Sequence, residues 1–124
     1  MARVFIYGTE LPGEPDAGWL AGLHAEPASV RGSLWVRQSR PALLPSPNAP
    51  HVEGLLLEVP DPRLAVLDLL HLGNGLARAR VTVRVGARGV DAEAWVLAKP
   101  PERRSGWRML KAPSWRAVSG AGRA

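Results

Sequence analysis

The side chains able to do acid–base chemistry in this sequence are three histidines and eleven carboxylates, with no cysteine among them. The lack of cysteine excludes disulfides and thiolate metal sites. His24 and His51 lie in loop or helix-end segments, without a paired carboxylate at ligand spacing, so we expect no metal. The sequence also lacks the glycine patterns of nucleotide sites and the Gly-x-Ser-x-Gly pattern of hydrolases, and we expect no cofactor.

His71 occupies the most informative position of the three histidines. It lies one turn beyond Leu67 near the end of a predicted helix, whose apolar face also includes Leu64, Val66 and Leu70. An imidazole titrates near neutral pH and is a competent base. The alternative is structural, because a histidine at a helix C-terminus commonly interacts with the terminal carbonyls and the helix dipole.

The helix that carries His71 has clear start and stop signals. Asp61 is a favourable N-cap and Pro62 suits the first helical position. Gly73-Asn74-Gly75 is typical of a helix end. A second, shorter helical segment is predicted after Asp16.

The rest of the chain is typical of strands. Residues 29–37 and 76–85 alternate apolar and polar side chains, while residues 40–50 hold four prolines and are predicted to be irregular. Turn residues 86–89 predict a hairpin in the last third. The predicted fold class is therefore α/β (α+β), a small mixed β-barrel-like sheet with packed helices. The other predicted strands are 3–7, 52–59 and 90–98.

The apolar segments of the sequence are too short to form a membrane-spanning helix. No apolar run reaches the roughly 18–20 residues that a spanning helix requires. The stretch at residues 4–7 is also too short for the core of a signal peptide. We therefore expect a cytoplasmic protein that does not bind a membrane.

Five segments, in this order, resemble the γ-glutamyl cyclotransferase-like family. Residues 4–9 (VFIYGT) are similar to the family's opening strand and Tyr-Gly-Ser/Thr-Leu loop. The resemblance implies the cyclotransferase-like fold. The other four segments are residues 30–35 (VRGSLW), 52–59 (VEGLLLEV), 64–73 and 94–96 (AWV).

The resemblance implies a reaction and a ligand. In the family, the α-amine of a γ-glutamyl amine attacks its own γ-amide carbonyl, which releases 5-oxoproline and the free amine. The family's loop holds the amino-acid end through backbone N–H groups, which implies substrate binding by Tyr7, Gly8, Thr9 and Glu10. Glu10 replaces an apolar residue: facing inward it would repel a substrate carboxylate, and facing outward it would change nothing.

The resemblance also places His71 where the family carries its catalytic glutamate, so His71 is the candidate catalytic residue. A neutral imidazole lacks the negative charge that would hold an ammonium group. Ala77 and Arg40 replace two aromatic residues of the family pattern. Four other carboxylates are candidates for the base by residue type only: Glu14, Glu53, Glu58 and Glu93. Of these, Glu58 and Glu93 are expected to face outward.

Basic charge is concentrated at the C-terminus. Residues 1–98 carry a net charge of −1 and residues 99–124 a net charge of +6. We interpret 1–98 as the cyclotransferase-like domain and 99–124 as a basic arm, expected to dock on it through Trp107 and Trp115 because Trp115-Arg116 resembles the family's ending.

Three functions remain open. The first is an enzyme that releases 5-oxoproline from γ-glutamyl amines through an altered base. The second is a catalytically silent member that binds a small amino-acid-like ligand in the same cavity. The third is a basic module that binds nucleic acid or another protein through the Trp/Arg-rich arm, although we do not expect nucleic acid to be the partner.

Overall fold

The computed structural model describes residues 1–119 of the chain. Its described part contains seven strands and three short or medium helices. In order they are β1 (Ala2–Ile6), a 3-10 helix (Ala17–Leu20), β2 (Ala25–Arg37), β3 (Arg40–Pro45), β4 (His51–Val59), α1 (Asp61–Leu72), β5 (Ala77–Val85), β6 (Arg88–Val96), β7 (Arg108–Leu110) and α2 (Arg116–Ser119).

Five strands close into a barrel in the order β2-β4-β1-β6-β5. The seam is completed where Ser29 of β2 pairs with Arg84 of β5. β1 and β6 run parallel and the other barrel pairs are antiparallel, so the sheet is mixed. The predicted small mixed barrel with packed helices is therefore confirmed.

β2 is long because it belongs to two sheets. Its first half, residues 25–31, pairs with β4, and its second half, residues 32–37, pairs with β3. The change occurs at Gly32, where a Cβ would lie 2.6 Å from the carbonyl oxygen of Leu44. Any larger residue would therefore push the two strands apart.

The prediction that residues 40–50 are irregular is wrong for its first half. β3 covers Arg40–Pro45 and lies at the edge of the sheet, next to β2 alone on the hydrogen-bonded path. An edge strand tolerates proline because a missing N–H on its outer side costs no ladder bond. The hairpin turn is likewise shorter than predicted, since β6 already begins at Arg88.

The start of α1 also differs from the prediction. Pro60, with extended backbone, is the N-cap, and its carbonyl accepts hydrogen bonds from the N–H groups of Arg63 and Leu64. Asp61 is thus the first helical residue and makes no side-chain cap, and its carboxylate lies 3.2 Å from the N-terminal amine of Met1. The chain reverses at Gly75, whose φ of +80° favours glycine.

Two apolar clusters fill the molecule. One occupies the barrel interior and includes Phe5, Tyr7 and Val83, and the other lies under α1 and includes Ile6, Leu67 and Trp95. The side chains of β1 and of Tyr7 therefore point alternately into one cluster and the other, so the end of β1 lies between the two clusters. Among the described residues, no helix is long and apolar enough to cross a membrane.

The segment after residue 98 contacts the barrel at several points. β7 pairs with β2, and the N–H of Glu53 donates to the carbonyl of Pro113 at 2.8 Å. Trp115 is 7% exposed, and the Arg116 guanidinium donates to the carbonyl of Pro12. The division of the chain at residue 98 stays a prediction, and residues 120–124 of the predicted arm lie outside the described residues.

Candidate functional site

The loop after β1 is tightly turned by its own backbone hydrogen bonds. The N–H of Leu11 donates to the carbonyl of Gly8 at 3.1 Å, and the N–H of Asp16 donates to that of Thr9 at 2.7 Å. Gly8 packs so closely that a Cβ would lie 2.6 Å from Cγ of Pro41. These contacts fix the path of the loop and bury the side chains of Thr9 and Glu10.

Tyr7 joins three strands through its hydroxyl. The hydroxyl donates to the carbonyl of Trp95 at 2.6 Å and accepts from the N–H of Leu43 at 2.9 Å. Burial raises the pKa of Tyr7, and the negative charge of Glu10 adds to this rise, while the hydrogen bond from Leu43 opposes it. The phenol is therefore neutral at physiological pH, with its oxygen already engaged by backbone groups.

His71 lies in the last turn of α1 against an indole. Its ring stacks on Trp95 with 5.0 Å between centroids and 23° between planes. The indole Nε1–H of Trp95 donates to Asp68 at 2.8 Å, and Asp68 also lies 3.3 Å from Arg78. Because the indole of Trp95 is itself held by Asp68, the plane of the His71 ring stacked on it is fixed.

Glu10 and His71, which come from different segments, are in direct contact. Oε1 of Glu10 meets Nε2 of His71, and their side chains are 5% and 11% exposed. Of the two orientations considered for Glu10, the structure therefore gives the inward one. No local pattern could have predicted this contact, because it depends on how the β1 loop meets the end of α1.

The predicted site residues surround one small cavity. Tyr7, Gly8, Thr9, Glu10 and His71 all line it. The cavity volume is about 20 Å³, which is room for a single water molecule. The structure thus brings the five residues together, and their individual roles stay predictions.

One lining residue of the cavity is held by a side chain that the sequence did not single out for this site. The guanidinium of Arg37 lies 4.3 Å from the ring centroid of Trp107, which lines the cavity. The same guanidinium donates to the carbonyls of Asn74 at 3.3 Å and Ser105 at 3.4 Å. Arg37 therefore ties the segment after β6 to the turn that follows α1.

The other carboxylates considered lie away from this cavity. Glu14 is buried but lines a different cavity, which it shares with Trp115. Glu53 and Glu58 are exposed, and Glu93 is partly buried on β6. Within residues 1–119 no three histidine or carboxylate side chains are grouped closely enough to hold a metal ion.

A larger groove lies elsewhere on the barrel, and we refer to it as the arginine groove. Its volume is about 620 Å³, and His51 is among its lining residues. Nδ1 of His51 lies 2.9 Å from Oγ of Ser29. The arginines that line this groove are Arg31, Arg80, Arg84 and Arg88.

Comparison with known proteins identifies a family that is consistent with the barrel fold described above. The sequence profile of the family described as "Gamma-glutamyl cyclotransferase, AIG2-like" matches residues 4–117. No curated protein sequence matches the chain significantly.

Solved structures share the fold at low sequence identity. An uncharacterised protein, PH0828, from Pyrococcus horikoshii superposes with a TM-score of 0.74 at 16% identity, with 99% of this chain and 97% of that one covered. An aig2-like protein from Mus musculus gives 0.70 at 21% identity, with 98% and 92% covered. YkqA from Bacillus subtilis gives 0.76 at 18% identity, and there the match covers 98% of this chain and 42% of that protein.

Proposed function

Because the chain belongs to the γ-glutamyl cyclotransferase, AIG2-like family, we propose that its cavity binds a γ-glutamyl amine and slowly releases 5-oxoproline. The observation that carries the proposal is the position of His71, which lines the same cavity as the Tyr7-Gly8-Thr9 loop. A base and a candidate binding loop that line one cavity are what an intramolecular cyclisation requires.

In the proposed reaction His71 takes a proton from the α-ammonium group of the ligand. The freed amine attacks the γ-amide carbonyl, the amide C–N bond breaks, and His71 passes its proton to the leaving nitrogen. The second proton, which the attacking nitrogen loses as it becomes the lactam N–H, follows the same route, so the amine departs in its ammonium form. Arg40 lines the cavity and its side chain is 43% exposed, so its guanidinium can meet the ligand carboxylate at the mouth. Arg40 lies 3.5 Å from Asp16, and a ligand carboxylate would compete with that pair.

Slow turnover is expected because the cavity must widen first. A volume of about 20 Å³ does not admit an amino acid. Trp107 lines the cavity and stacks with Arg37, so their contact has to loosen before a ligand enters. Opening steps of this kind limit turnover in many enzymes.

The contacts of the arm do not favour the rival function in nucleic-acid or protein binding. Stacking on bases requires accessible aromatic rings. Trp115 is 7% exposed, and Trp107 is covered on one face by Arg37. We therefore propose no second function.

The test is a 5-oxoproline assay on the purified chain with a panel of γ-glutamyl amines. We expect low but measurable product, and His71→Ala should reduce the rate by about 10²–10⁴-fold, as expected for loss of a general base. Arg84→Ala, in the arginine groove, is the matched control and should keep the wild-type rate.

Two results would contradict the proposal in different ways. Saturable binding of a γ-glutamyl amine without any product would identify the chain as a silent member of the family. Robust turnover that survives His71→Ala would mean that another residue is the base.

A further inference from the structure

The contact between Glu10 and His71 is unusual because it pairs two ionisable side chains away from water. Taking a carboxylate out of water is costly unless a charge or hydrogen bond compensates. Here the compensating group is Nε2 of His71, which is shielded from solvent and has no other polar contact among residues 1–119. Each side chain thus accounts for the burial of the other.

Both partners are held on rigid supports. The loop that carries Glu10 is fixed by the backbone hydrogen bond from Asp16 to Thr9, at 2.7 Å. The plane of the His71 ring is fixed by its stacking on Trp95. What remains is a 180° flip about the Cβ–Cγ bond, which keeps the plane but moves Nε2 away from Glu10, and the contact with Glu10 opposes it.

The contact also determines where the ring carries its proton. An ionised carboxylate can only accept hydrogen bonds, so Nε2 must donate and therefore carries the hydrogen. In a neutral imidazole the lone pair is then on Nδ1. Nδ1 takes no part in the contact with Glu10 and is left as the basic atom of the ring.

We infer that Glu10 is a positioning residue for His71, which holds the Nε2–H tautomer so that Nδ1 accepts the proton of the bound ligand. This inference rests on the proposed function. The proton moves from the ligand ammonium to Nδ1, the ring becomes an imidazolium with hydrogen on both nitrogens, and the Glu10 carboxylate offsets its charge. The proton then leaves Nδ1 for the departing amine, which restores the neutral ring, and the second proton of the attacking nitrogen follows the same route as the lactam forms.

The experiment combines NMR of the ring nitrogens with kinetics on the full chain. Wild-type protein should show the His71 hydrogen on Nε2, with a resonance downfield of the backbone amides, as expected for a charge-assisted bond to a buried carboxylate. Glu10→Leu should lose that resonance and lower kcat by about 10²-fold, the low end of a general-base contribution, with a smaller change in KM.

Further variants separate positioning from folding. Glu10→Gln keeps the shape and a hydrogen-bond acceptor but loses the charge, so its kcat should fall between those of wild type and Glu10→Leu. Glu14→Gln removes another buried carboxylate of the same loop, one that lines a different cavity, and should keep both the resonance and kcat. Glu10→Leu combined with His71→Ala should cost no more than His71→Ala alone, because residues that act as a unit are not additive.

Each outcome decides a different claim. A wild-type ring with its hydrogen on Nδ1 overturns the inference whatever the activity. A lost resonance in Glu10→Leu with unchanged kcat overturns the positioning role and leaves the proposed function standing. Absence of product from the wild type overturns the proposed function and the base role of Nδ1, while the resonance still reports on the contact itself.

Discussion

The arginine groove is much larger than the cavity beside His71, but the cavity has the ionisable groups that are better suited to chemistry. The cavity measures about 20 Å³ and is lined by the buried side chains of Thr9, Glu10 and His71. The groove measures about 620 Å³, and its four arginines are exposed. Ionisable groups shielded from water interact strongly, whereas exposed charges are screened. We therefore expect the reaction to take place in the cavity beside His71, and the volume of a cavity is a poor guide to its reactivity.

The largest effect that would sharpen this comparison is expected from removing one hydroxyl. Tyr7→Phe would leave the N–H of Leu43 and the carbonyl of Trp95 without their partner at the cavity wall. Unsatisfied buried groups cost about 1–3 kcal/mol each, so the free energy of unfolding should fall by about 3 kcal/mol in urea titrations. Thr82→Val removes a hydroxyl from the arginine groove, where the side chain is exposed, and should leave stability unchanged.

The same tyrosine supports an independent pH test, since it is the single tyrosine of the chain. Burial raises the pKa of Tyr7. A tyrosine in the unfolded chain ionises near pH 10, so its contribution to stability should be complete below about pH 10 and decline as pH rises further. Tyr7→Phe should lack this alkaline decline. Ionisation of the folded protein near pH 10, followed by phenolate absorbance, would contradict the buried geometry.

The next effect compares two glycines that differ in surrounding space. A Cβ at Gly8 would lie 2.6 Å from Cγ of Pro41, whereas a Cβ at Gly89, in the arginine groove, would lie 3.7 Å from Thr82. Overpacking a tight site costs about 1–3 kcal/mol, so Gly8→Ala should lower the melting temperature clearly and Gly89→Ala should not. Equal melting temperatures would mean that the cavity wall yields as easily as the groove.

The parts of the fold that side-chain periodicity determines could be predicted from the sequence. The parts that depend on which strands and loops lie next to each other could not. Alternation along residues 29–37 gave the buried face of β2 because side-chain direction has a period of two in any strand. The strand at Arg40–Pro45 was missed because proline is tolerated only at an edge, and edge position is a property of the whole sheet. The cap at Asp61 was misplaced by one residue because the carbonyl of Pro60 starts the helix instead.

The members of the site were predictable from motif order, but their contacts were not. Tyr7 and His71 were placed by resemblance, and both line the cavity. The contact of Glu10 with His71 depends on the relative position of a loop and a helix end that are distant in sequence. The small volume depends on Trp107 and on Arg37, which neither periodicity nor a motif connects with the loop after β1.

The smallest effect is expected in the arginine groove and concerns His51. Burial of its ring lowers the pKa of His51, and the positive charges of Arg31 and Arg84 lower it further. Arg84→Ala should therefore raise the pKa of His51 toward the ordinary value near 6.5, and added salt should do the same in part, because salt screens the charges and leaves the burial. The measurement is the NMR titration of the His51 ring. Arg63→Ala, which removes an exposed arginine that binds the carbonyl of Ala21, is the matched control and should leave the titration unchanged.

If Arg84→Ala also leaves the His51 titration unchanged at low salt, water already screens the charges of the groove completely. The arginines would then have no measurable influence even on the histidine beside them, and the contrast with the paired groups at the cavity would be wider than the structure alone suggests.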